Sequence, residues 1–195
     1  MRIEEFLKEM EETATFKGHT MRMITQKITT IASILKLRKL DVYTLLTVLR
    51  MYLYTRDRKV NELSLLNKLK EIYRVDEDYL YYDGEFEDIS TADRYALLYA
   101  LLEMLSPEEI YTASDIQQLL KENWPDTILA DMTLKRLTTA LKDLSKVGAI
   151  TLVIDEVSKG SGSSHFLHWC LNDLRGLLDS FWYSWLDGNV YYIKR

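Results

Sequence analysis

Residues 112–170 read TASDIQQLLKENWPDTILADMTLKRLTTALKDLSKVGAITLVIDEVSKGSGSSHFLHWC. This stretch decides the fold. Thr112 or Ser114 supplies an oxygen to start a helix that runs through Asn123, and Trp124-Pro125 ends it. A second helix is predicted over 131–146, because Leu134, Leu137, Leu141 and Leu144 recur at helical spacing. Gly148 provides the left-handed residue at its end. Two β-prone runs follow, 150–157 and 165–171, around a Lys-Gly-Ser tip at 159–164.

Upstream, Ser90 and Asp93 read as a capping box that opens a helix to about Leu105. SPEE at 106–109 reads as one further helical turn, with Ser106 as cap and Pro107 at the first position. Ile110-Tyr111 fits a small strand. Downstream, residues 173–186 form a helical pattern with Leu174, Leu177, Leu178, Phe181, Trp182 and Trp185 on one face.

The first half shows the same kind of order. After an amphipathic segment at 2–12 and a break at Gly18, apolar residues recur at Met21, Ile24, Ile28, Ile31 and Leu35. Asp41 caps a second helix to Tyr54, with Leu45, Leu46, Leu49 and Leu53 inward. A third, from Asn61 to Tyr73, carries Leu63, Leu66, Leu69 and Ile72. In DYLYYDGEFEDI, Asp83-Gly84 gives a hairpin turn signal between two short strands.

With 195 residues, 47% of them apolar and only seven Gly and two Pro, the chain can bury one good core or two small ones and favours long helices. The single Cys170 excludes an internal disulfide and fits a reducing cytoplasm. The apolar runs are too short to cross a bilayer, and the acidic N-terminus fits neither a signal nor a transit peptide. The net charge of −5 conceals segregation. Residues 14–60 hold ten Lys/Arg against Asp41 and Asp57, a local +8. Residues 75–109 hold eleven Asp/Glu against Arg94, a local −10. Such asymmetry points to a basic surface for a polyanion or an acidic partner, or to mutual neutralisation of the two regions.

Residues 90–170 resemble the winged helix-turn-helix superfamily in element order and hydrophobic spacing, and residues 20–89 resemble a degenerate copy. The resemblance implies a mainly α fold with small β-hairpins. Two tandem winged-helix-like domains at 20–89 and 90–171 would lie between an N-terminal helix and linker at 1–19 and an aromatic helix and tail at 172–195. Winged helices serve unrelated tasks, so the fold does not fix the function. The resemblance implies a DNA-binding protein: a transcriptional regulator, or a DNA replication or partition accessory factor. The alternative is a non-catalytic interaction subunit, similar to the tandem winged-helix accessory proteins of chromosome condensation.

By analogy, the helix 131–146 would enter the major groove of double-stranded DNA. Lys135, Arg136, Thr139, Lys142 and Lys146 project away from its Leu stripe, and Lys159 and Ser161 of the tip would reach a phosphate. A solvated cationic face is the plain alternative. A second set, Arg22, Lys27, Lys36, Arg38, Lys39, Arg50, Arg56, Arg58 and Lys59, overlaps a helix-turn-helix spacing that departs at Lys36, where a Gly is usual. The acidic segment 76–88 would repel phosphate and suits a basic protein partner. Leu178, Phe181, Trp182 and Trp185 present a face for a homodimer, or cover their own domain. No residue set marks catalysis. His165, His168 and Cys170 do not share one strand face, so no metal or other cofactor is expected.

Overall fold

A computed structural model of the chain describes residues 18–56, 60–107, 109–154 and 167–171. The expected helix at 2–12, the hairpin tip with Lys159 and Ser161, and the aromatic helix at 173–186 lie outside them. The chain divides into two compact units, Met1–Asp88 and Ile89–Arg195.

In the first unit, α1 spans Gly18–Leu35 and buries Ile24, Ile28, Ile31 and Leu35. Its end is a left-handed turn: Lys36 has φ 53°, and the Leu37 N–H reaches the Ala32 carbonyl at 3.0 Å. Strand β1, Lys39–Asp41, leads directly into α2, Val42–Tyr54, and the Asp41 carboxylate accepts from the Thr44 N–H at 2.8 Å. The candidate helix-turn-helix over this segment is therefore a helix, a strand and a helix. Lys39–Asp41 pairs with Tyr79–Tyr81 in a sheet instead of turning tightly. Helix α2 is buried from Thr44 through Leu53, which explains why its sequence is apolar on nearly every side.

Helix α3, Glu62–Ile72, starts at Asn61, whose side chain accepts from the Leu63 and Ser64 N–H groups. It packs along Leu65 and Leu69. Leu63, expected inward, is 64% exposed, and Ile72 is exposed as well. At about 100° per residue, a helix seated on Leu65 turns Leu63 to the far side.

Strands β2, Arg74–Asp76, and β3, Tyr79–Tyr81, complete a sheet in the order β1-β3-β2, antiparallel throughout. The hairpin turns at Glu77-Asp78, not at Asp83-Gly84. The observed register sets Val75 opposite Leu80, with Leu80 buried. A two-residue turn at Asp83-Gly84 would instead set Leu80 opposite Glu87 and place carboxylates on the core face. Gly84 serves a different purpose. A Cβ there would stand 2.7 Å from the Tyr82 hydroxyl, which folds back to donate to the Glu85 carbonyl at 2.9 Å.

The second unit repeats the plan. Helix α4, Arg94–Met104, is capped by Asp93, whose side chain accepts from the Tyr95 and Ala96 N–H groups. It therefore starts later than a Ser90 cap implies. At SPEE the Glu109 N–H reaches the Ser106 carbonyl at 3.3 Å, and the described residues Ser106, Pro107 and Glu109 are not helical, Glu108 lying outside the described residues. Strand β4, Ile110–Thr112, gives way to α5, Ala113–Asn123, through a capping box between Thr112 and Asp115. Helix α6, Leu134–Lys146, begins three residues later than expected, capped by Thr133. Residues 126–133 hold a loop instead, with Leu129 and Met132 buried and Asp126 at φ 62°. Leu134, at the first position of α6, is 43% exposed, whereas Leu137, Leu141 and Leu144 are buried.

Gly148, at φ 81°, closes α6. Its N–H reaches the Ser145 carbonyl at 3.1 Å, and the Ala149 N–H reaches Leu144 at 3.0 Å. Strands β5, Ile150–Ile154, and β6, Leu167–Leu171, join β4 in the order β4-β6-β5. Both units thus run helix, strand, helix, helix, hairpin, with the first strand paired to the last. The chain is mainly helical with small antiparallel sheets. No described helix is long and apolar enough to cross a membrane.

Candidate nucleic-acid interface

The amphipathic contrast along α6 positions the site. Leu137, Leu141 and Leu144 seat the helix on the core of the second unit, and this turns Lys135, Thr139, Lys142 and Lys146 directly away. All four are exposed, as is Arg136 on one flank. The helix is held at its start as well as along its length. The Thr133 hydroxyl accepts from the Arg136 N–H at 3.3 Å, and Gln117 of α5 donates to the Met132 carbonyl at 3.0 Å.

The only carboxylate of α6, Asp143, lies on the same flank as Arg136. It is matched by Arg94 of α4, with Nη2 3.6 Å from Oδ2. This ion pair leaves the outward stripe with uncancelled positive charge. Arg94 was not an expected participant. The available signal was its position as the one cation of residues 75–109.

The threonine hydroxyls of α6 are turned on the helix itself. Thr138 donates to the Leu134 carbonyl at 2.7 Å and Thr139 to Lys135 at 3.0 Å. Lys159 and Ser161, expected to join this face, lie outside the described residues, as do Leu178, Phe181, Trp182 and Trp185. His168 pairs in register with Thr112 and Val153, and Cys170 with Ile110 and Thr151. Among the described residues, no group of three or more His, Cys, Asp or Glu is placed to hold a metal ion.

No protein-family model, curated protein or solved structure matches the chain.

The second set of cations is not brought together into one face. Arg50 is 7% exposed and bonds Glu62 of α3 at 3.2 Å, tying α2 to the start of the next helix. Others lie over aromatic rings: Lys27 and Arg56 over Tyr52, Lys39 over Tyr79, and Arg38 over Phe86 at 4.0 Å; Arg74, outside the set, lies likewise over Tyr81. Arg38 also donates to the Gly84 carbonyl, and the Tyr82 and Phe86 rings stack beside it. Arg22 and Lys36 are exposed, and Arg58 and Lys59 lie outside the described residues.

The acidic segment is likewise split. Asp76, Glu77 and Asp78 sit at the hairpin turn, while Asp83, Glu85, Glu87 and Asp88 follow the far end of β3. Glu87 of this second group is anchored to α1, its N–H donating to the Ser33 hydroxyl at 2.9 Å. The Asp76 carboxylate accepts the Tyr81 hydroxyl, which pushes that phenol above its ordinary pKa. Tyr73 is pushed up to about 12, chiefly by burial and then by the neighbouring Tyr82 and Asp83.

Proposed function

We propose that the chain is a non-catalytic, double-stranded-DNA-binding protein of tandem winged-helix build, acting as a transcriptional regulator or a DNA replication or partition accessory factor. The observation that carries this reading is the outward face of α6. Lys135, Arg136, Lys142 and Lys146 are exposed on the third helix of the second unit, and the one carboxylate of that helix, Asp143, is paired with Arg94. The third helix before a hairpin is the element that enters the major groove in this class of fold.

The first unit carries a second reading, that of a protein-docking module. Its third helix, α3, balances Glu62 and Glu71 against Lys68 and Lys70, and exposes Leu63 in place of a cationic stripe. DNA contact is therefore assigned to the second unit.

Titration of a labelled random duplex by anisotropy tests the reading. Four phosphate contacts give log K a slope of about −3.6 against log salt, or about 150-fold weaker binding from 50 to 200 mM. Lys135→Glu with Arg136→Glu abolishes binding at 200 mM. Full binding by that variant moves the site off α6, and no binding by the wild type at 50 mM removes the DNA reading.

A further inference from the structure

Resting on the DNA-binding reading, we infer that α6 binds duplex DNA without selecting a base sequence. The outward face of α6 presents few donors and acceptors that tell one base from another. The stripe opposite the core is Lys135, Thr139, Lys142 and Lys146. Lysine carries a compact, mobile charge that meets a phosphate or a guanine edge equally well, and it lacks the planar fork of arginine. No Asn or Gln stands on this stripe, so the bidentate reading of adenine is missing.

Thr139 does not fill the gap. Its hydroxyl proton is given to the Lys135 carbonyl at 3.0 Å, so only an acceptor faces outward. Adenine and cytosine both present an amino donor in the major groove, and an acceptor alone does not tell them apart. Asp143, the one carboxylate on α6, is engaged by Arg94 at 3.6 Å. Arg136 alone carries a planar fork for guanine, and it is set on the flank of the stripe and not at its centre. The helix thus offers charge at a regular spacing and almost no code. Its ligand class is the phosphate backbone of duplex DNA, whatever its sequence.

The test uses the full chain at 50 mM salt against three duplexes of equal length and different base composition, together with selection from a randomised duplex pool. The expected result is dissociation constants within about tenfold of one another, and no enriched motif. Lys135→Ala with Lys142→Ala weakens all three duplexes by the same factor and makes the salt slope shallower by about 1.8. An enriched motif bound more than a hundredfold tighter than its scrambled duplex overturns the inference while leaving DNA binding intact. So does a lysine variant whose loss is confined to one duplex. Absence of binding to every duplex removes the DNA reading and this inference together.

Discussion

Exchanging the residues at two helix ends tests the backbone argument. Helices α1 and α6 end in the same way, with a left-handed residue followed by an N–H that reaches back to a carbonyl five residues earlier. At α6 that residue is Gly148, at φ 81°, and at α1 it is Lys36, at φ 53°. A side chain in the left-handed region costs about 1–2 kcal/mol. Glycine recovers this but gives back about 0.4–1 kcal/mol through the larger freedom of the unfolded chain. Lys36→Gly is therefore expected to stabilise the first unit by about 0.5–1 kcal/mol, and Gly148→Ala to destabilise the second by a similar amount. With a urea dependence of about 2 kcal/mol per molar, each moves its unfolding midpoint by about 0.25–0.5 M, in opposite directions. Circular dichroism at 222 nm across a urea series reads both. A lowered midpoint for Lys36→Gly, or an unchanged one for Gly148→Ala, refutes the assignment of strain to these positions.

Gly84→Ala forces the Tyr82 ring aside and is expected to cost about 1–2 kcal/mol by breaking its hydrogen bond and displacing its ring contacts. Tyr82→Leu in the same chain should make the alanine nearly neutral, as a double-mutant urea cycle would measure. Arg94→Ala leaves Asp143 uncompensated on α6 and is expected to weaken duplex binding about two- to threefold at 50 mM salt. Adding Asp143→Asn should recover most of that loss in an anisotropy titration. Because folding raises the Tyr73 pKa from 10.0 to about 12, its contribution to stability is complete below pH 10 and lost as pH rises through 12. The urea midpoint of wild type should fall across that window more steeply than that of Tyr73→Phe.

The parts of the fold set by neighbours in sequence were legible. Asp41 and Gly148 are legible as helix boundaries, and Thr112 as one of two candidate caps beside Ser114, because a cap depends on atoms two to five residues away. The seat of α6 on Leu137, Leu141 and Leu144 followed from spacing alone, and so did the exposure of Lys135, Arg136, Thr139, Lys142 and Lys146. Features that needed a distant partner were not legible. The Asp83-Gly84 turn signal was strong locally, but the pairing of Val75 with Leu80 overrode it. Leu63 fits a helical stripe, yet the core reaches α3 only along Leu65 and Leu69. The Arg94–Asp143 pair joins residues 49 apart, and periodicity along either helix does not reveal it. The aromatic rings beneath Lys27, Arg38, Lys39 and Arg56 occupy four of the nine cations that the sequence offers to a polyanion, and no local pattern shows those stacks.

Those rings bear on how the first sheet finds its alignment. Its strands are three residues long, and the core face of the sheet is a single row of Leu40, Leu80 and Val75. One apolar residue per strand is a thin instruction, and a shift of one position would exchange the two faces of a strand. The opposite face makes that shift expensive. Tyr79 and Tyr81 would enter the interior with Lys39 and Arg74 still stacked on them, or else give up both stacks. The charged outer surface thereby acts as a latch on strand alignment, and a sheet too short to be guided by its interior is guided from the solvent side.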